Sequence, residues 1–117
     1  MKANLDELNT QEELDRALSE SAQHPVLFFK HSVTCPISSR AFSQLQTFLE
    51  TADPRVAYKL ITVQTAQHLS GSVAQKLGVI HQSPQAILVK DCASVWDASH
   101  SAITSDSLDQ AIRELLA

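Results

Sequence analysis

The stretch "FFKHSVTCPISSRAF", residues 28–42, sets a thiol between two elements of different type. The run Val26–Lys30 is short, apolar up to Lys30 and rich in aromatic and β-branched residues, which predicts a central strand buried on both faces. Past Cys35, Pro36 suits a first helical turn, where its missing N–H is not needed. Ile37, Ala41, Leu45 and Phe48 then form one apolar stripe at spacings of three or four. The stripe predicts a helix to about Glu50, ending before Asp53-Pro54.

That placement has chemical consequences for Cys35. Unpaired N–H groups and the positive end of a helix dipole favour a thiolate over a thiol. Lys30, His31 and Arg40 are near in sequence, and of these Arg40, a little over one turn into the helix, has a clear path to the same end. A core cysteine behaves as a small hydrophobe and has no reason to sit at a helix N-terminus. Cys35 is therefore the expected nucleophile toward disulfides, with Thr34 and Pro36 shaping its turn. Two-cysteine redox sites place a resolving thiol three residues on, one helical turn away. Ser38 fills that slot here. Its hydroxyl can hydrogen-bond the Cys35 sulfur but cannot displace a mixed disulfide, so a second thiol must come from solution.

Outward from this centre the elements alternate. Thr10 and Glu13 form a capping-box pair opening a helix over residues 10–22, stopped by His24-Pro25. "VAYKLITV", residues 56–63, predicts a second strand, and "SGSVAQKLGV", residues 70–79, a short helix closed by Gly78. "QAILVK" after Ser83-Pro84 is a third strand. A turn at Asp91-Cys92-Ala93-Ser94 leads to a fourth, "VWDAS", paired antiparallel to it. Residues 103–117 close the chain as a helix capped by Thr104 or Ser105. The expected architecture is one α/β domain over residues 1–117, of order α-β-α-β-α-β-β-α. It has a four-stranded mixed sheet with helices on both faces.

Composition narrows the functional classes. Lys and Arg are scattered in a chain of net charge −4, which argues against nucleic acid as a partner. No apolar run approaches the roughly 20 residues that span a bilayer, so no membrane partner is expected. The N-terminus lacks a signal-type apolar core, which makes the cytoplasm the expected compartment. Cys35 and Cys92 are too few for a disulfide scaffold, and no metal-ligand spacing joins them to His24, His31, His68, His81 or His100. Cys92 is expected in a turn roughly 20 Å from Cys35, the length of the third strand. That excludes it as a resolver, because a disulfide needs Cα atoms within about 7 Å.

Together, "FKHSVTCPIS", "GVIHQSPQAILV" and "WDASHSAIT" resemble the bacillithiol-system redox protein family of the thioredoxin-like superfamily. The YtxJ-type members of that family are proposed monothiol bacilliredoxins with the same Thr-Cys-Pro-Ile-Ser hallmark. The resemblance covers nearly the whole chain from about residue 10. It implies a thioredoxin fold with Pro84 cis, and Ser83 and Gln85 flanking a substrate groove. It also implies that Cys35 removes bacillithiol or a related low-molecular-weight thiol from oxidised client proteins. That thiol would be a co-substrate rather than a tightly bound cofactor, and a reducing thiol system would recycle the cysteine. No functional residue is carried onto "TAQHLSGS".

His100, at the end of the fourth strand, returns toward Cys35 and is a candidate donor to a substrate carboxylate or a group that shifts the Cys35 pKa, against the alternative of a surface histidine at a strand end. His81, three residues before Pro84, lies on the same side, either beside substrate or packed under the loop. His31 is expected to shape the loop, His24 and His68 to be surface positions, and Trp96 to pack. The acids Asp6-Glu7 and Glu12-Glu13-Asp15 read as a solvated face. Two other function classes fit the same residues: a non-catalytic docking or cluster-holding module, and a sensor whose Cys35 is merely capped. Cluster binding is disfavoured because Pro36-Ile37 stiffens the turn.

Overall fold

A computed structural model describes residues 3–117. Its sheet has five strands in the order β1-β3-β2-β4-β5: β1 Leu5–Glu7, β2 Val26–His31, β3 Ala57–Thr62, β4 Gln85–Lys90 and β5 Ala93–Ser99. The helices are α1 Gln11–Glu20, α2 Pro36–Leu49, α3 Gln67–Leu77 and α4 Ser105–Leu116, with a 3-10 turn at His100–Ala102. β1, β2 and β3 are parallel, and β4 and β5 run antiparallel to their neighbours. This is the thioredoxin-like α/β fold, with one more strand than the sequence suggested.

The extra strand is β1. Asp6-Glu7, read above as part of a solvated face, belongs to an edge strand only three residues long. It is too short to carry a periodic signal, and pairing with β3 and docking of Leu5 hold it in place. Glu7 accepts from the Thr62 hydroxyl at 3.1 Å, and Asp6 faces Lys59 at 3.2 Å.

Side chains alternate across β2, so each residue's parity selects its core. Leu27 and Phe29 join Leu45, Phe48, Leu108 and Ile112 beneath α2 and α4. Val26 and Phe28 join Leu14, Leu69, Ile87 and Val89 beneath α1 and α3. The strand is buried on both faces, and its aromatic, branched sequence suits that position.

Local chemistry sets most boundaries. Thr10 and Glu13 exchange both capping-box bonds at the start of α1. Thr104 caps α4, with Ser107 as its reciprocal partner. Gly78 closes α3 at φ +65°, a left-handed geometry that glycine adopts without a Cβ penalty. At its other end α3 begins a turn earlier than expected, after Ala66, which offers no side-chain cap and hence no start signal. The β4–β5 turn is tighter than expected: Asp91 and Cys92 alone form it, both at positive φ. No helix among the described residues is long and apolar enough to cross a membrane.

Candidate active site

Cys35 is the N-cap residue of α2, with extended φ −102° and ψ 122°, and Pro36 takes the next position. Its carbonyl accepts from the Ser39 amide at 3.0 Å, while its side chain makes no capping bond. The half-buried sulfur has no hydrogen-bond partner among the described residues. The amides of the first helical turn, which lack intrahelical acceptors, face the same end of the helix.

The preceding loop is fixed from two sides. Gln64, in the β3–α3 connection, accepts from the Val33 amide at 3.1 Å and donates to the Ser32 and Thr34 hydroxyls at 2.7 and 3.2 Å. Thr34 is thereby a loop anchor. From the other side, the fully buried Ser38 hydroxyl accepts from the Ser32 amide at 2.9 Å and lies 2.8 Å from Nδ1 of His31. The simplest proton assignment has Ser38 donating to Nδ1, with the imidazole proton on Nε2. Burial pushes the His31 pKa down, in keeping with a neutral ring, and the ring stacks on Phe42 at 4.6 Å. Ser38 was expected to serve Cys35, but its bonds go to the loop that carries Cys35.

The Pro84 segment meets this loop through strand register. Lys30 at the end of β2 pairs with Gln85 at the start of β4, so Pro84 and Cys35 leave the same end of the sheet. The Ser83–Pro84 peptide is cis, and Pro84 is buried. The Pro84 carbonyl accepts from the His100 amide at 3.1 Å. Gln85, expected beside substrate, is 1% exposed and spent on its own loop: its amide donates to the Ile80 carbonyl at 3.0 Å and accepts from the Gln82 amide at 3.3 Å. Its role is to brace the proline loop. The Ser83 hydroxyl is buried without a partner.

Lys30, named above only as a strand end and a nearby charge, is fully buried. It follows the parity of Phe28 into the α1/α3 side, with Nζ 3.1 Å from Nδ1 of His81. Burial lowers its pKa to about 8. Burial and the neighbouring Lys30 charge lower that of His81. A lysine closing an otherwise apolar strand was the available signal. One ring nitrogen of His81 is thereby engaged from below, while its residue is exposed at the surface.

Arg40 and His100, the two remaining candidates, lie on walls of one cavity of about 470 Å³ between α2 and the 3-10 turn. Both are exposed, and His100 has φ +55°. Among the described residues no group of three or more His, Cys, Asp or Glu is arranged to hold a metal.

A family model described as monothiol bacilliredoxin BrxC matches residues 6–108. The chain belongs to the monothiol bacilliredoxin family. A solved structure described as a proposed oxidoreductase with a thioredoxin fold is 33% identical. It superposes with TM-score 0.80, and the match covers 92% of each chain. Thioredoxin of Malassezia sympodialis is 11% identical with TM-score 0.77, covering 97% of this chain and 91% of that one. Spinach chloroplast thioredoxin f is 14% identical with TM-score 0.75, covering 99% and 96%. The last two likenesses concern the fold alone. Membership of the bacilliredoxin family makes the chain a thiol redox protein.

Proposed function

We propose that the chain is a one-cysteine thiol-disulfide oxidoreductase that takes bacillithiol, or a related low-molecular-weight thiol, off oxidised client proteins in the cytoplasm. The observation that carries this reading is the pairing of an unengaged Cys35 sulfur with a buried serine, bonded elsewhere, at the position one turn on. Cys92 lies at the far end of β4. In the first step the Cys35 thiolate attacks the small thiol's sulfur in the client's mixed disulfide. A bond forms between that sulfur and Cys35, the client–small-thiol bond breaks, and the client leaves as a thiolate that takes a proton from water. A lone pair of the Cys35 thiolate makes the new S–S bond and the pair of the broken bond leaves on the client sulfur, so Cys35 is oxidised to the disulfide level as the client returns to the thiol level. A second thiolate from a reducing thiol system then attacks the sulfur of the small thiol. It leaves as a small disulfide and returns Cys35 to its starting state.

Exposed apolar side chains at Val33 and Ile37, two positions before and after Cys35, support a protein as the donor of the mixed disulfide, since apolar surface beside a reactive sulfur suits a docking partner. Intact-mass analysis of a bacillithiolated client protein tests the reading. Wild type and Cys92→Ser should strip the client at rates within about twofold of each other, and Cys35→Ser should lower the rate by at least about 100-fold. Stripping by Cys35→Ser would falsify the reading. Stable capping of Cys35 with no turnover on adding thiol would assign the chain to sensing instead.

A further inference from the structure

The cavity beside Cys35 has a lopsided chemistry. It opens at the first turn of α2, directly after the nucleophile. Ile37, Ala41 and Ile103 give it apolar walls, and Arg40, His100 and Ser101 give it polar ones. Among the described residues no carboxylate lines it, although the chain carries 13 acids against 9 Lys and Arg. Five of the other described cations, Arg55, Lys59, Lys76, Lys90 and Arg113, each face a carboxylate within 4.0 Å; Arg16 and Lys30 do not, and neither lines this cavity. Arg40 has no such partner among the described residues, and its guanidinium presents a planar fork of donors suited to a carboxylate.

The opposite wall is held against local backbone preference. His100 adopts φ +55°, an uncommon conformation for a residue with a Cβ. It is fixed there by its amide bond to the Pro84 carbonyl and by the Ile103 amide bond to its own carbonyl. The turn that brings His100 to the cavity is thus held by the same hydrogen bond that joins it to the proline loop. At about 470 Å³ the space suits a molecule of a few hundred daltons rather than a helix or a protein edge.

We propose that this cavity receives the carboxylate-bearing, non-reacting part of the small thiol while its sulfur is bonded to Cys35. Arg40 binds the carboxylate, His100 and Ser101 supply further hydrogen bonds, and the apolar walls cover the carbon skeleton. The site rests on the exchange reaction proposed above and assigns its selectivity. Small thiols carrying carboxylates are preferred over neutral ones, and the preference weakens with salt because the contact is partly exposed.

The test uses one client protein capped either with mercaptosuccinate or with 2-mercaptoethanol, and reads the ratio of the two stripping rates. Wild type should favour the mercaptosuccinate form. Arg40→Gln and, independently, Ser101→Glu should each lower the ratio about tenfold, the first by removing a charged donor and the second by placing a carboxylate in the cavity. Ser101 is exposed, so this second variant does not depend on repacking the core. A ratio unchanged in both variants overturns the site. A second arm needs no exchange: S-methyl mercaptosuccinate is titrated into Cys35→Ser and followed by amide NMR. Shifts at Ile37, Ala41 and Ile103 that vanish on adding Arg40→Gln support the cavity even if the exchange reaction fails. Absent shifts, or shifts confined to other surfaces, reject it even if exchange succeeds.

Discussion

The two cysteines stand at opposite ends of one sheet and are treated in opposite ways. Cys92, at the β4–β5 turn, is the more exposed residue, yet its sulfur donates to the Leu18 carbonyl at 3.2 Å and lies 3.8 Å from the Ser21 hydroxyl. Ser21 also accepts from the Cys92 amide at 2.8 Å and is fully buried. Cys35 is less exposed and has no partner for its sulfur among the described residues. At the Cys35 end, buried polar side chains serve the loops around the thiol and not the thiol itself. Surface exposure is therefore a poor guide to reactivity here. Attack by Cys92 must first break a local hydrogen-bond set, whereas attack by Cys35 breaks none.

The comparison is broken most directly by competitive alkylation followed by peptide mass spectrometry. Cys35 should be modified on the order of 100-fold faster than Cys92 at neutral pH, since reactivity follows microenvironment more than access. Equal rates would remove the distinction. The next largest effect belongs to Lys30, whose folded pKa of about 8 lies below its unfolded value of 10.5. The unfolded chain holds the extra proton between those values, so this group's contribution to stability rises with pH across that window. Below it the buried ammonium carries the full cost, on the order of 3 kcal/mol. Lys30→Met should raise the urea midpoint at pH 7, and the gain over wild type should shrink as pH rises from 8 to 10.5. A gain independent of pH would show that packing, not charge, explains it.

Smaller effects sharpen the contrast between the two ends. Ser38→Ala leaves the Ser32 amide and His31 Nδ1 without their partner and should cost about 1–3 kcal/mol in denaturant unfolding. The cost should come with altered amide shifts across Ser32–Cys35, whereas a stability loss without them would uncouple Ser38 from the loop. Ser21→Ala should cost about 1 kcal/mol and raise Cys92 alkylation a few-fold, leaving Cys35 alkylation unchanged. An unaltered Cys92 rate would mean that its other contact, with Leu18, suffices to restrain it.

What could be read in the sequence follows from how far each signal reaches along the chain. The strand–Cys35–Pro36–helix junction is written in consecutive residues, and so are the Thr10–Glu13 cap and the Gly78 stop; all three stand in the structure. β1 was missed because three residues carry no period, and its place is decided by β3, some fifty positions away. The partners of Ser38, Gln85 and His81 could not be named for a related reason. Each is a polar side chain whose obvious neighbour in the motif is Cys35 or substrate, and each is buried against or hydrogen-bonded to a loop residue or Lys30 instead. Burial of a polar group demands a partner, and the fold chose a different one from the motif. Arg40 and His100 lie some sixty residues apart, and the cavity between them exists only once α2 and the 3-10 turn are side by side.

The register of β2, β4 and β5 carries a last consequence. Lys30, Gln85 and Ser99 form one row across three strands, and the nucleophile loop, the proline loop and the His100 turn all begin within a few residues of it. That row is a datum line from which every part of the site is measured. Length changes in the connections at the other end of the sheet, around residues 51–56 or 21–25, leave the line where it is. A single residue inserted within Val26–Lys30 or Gln85–Lys90 would displace one loop by about 3.3 Å and turn its side chains to the wrong face. Evolutionary drift in chain length should therefore collect away from this end, and the two short central strands should keep their residue counts even where their side chains change.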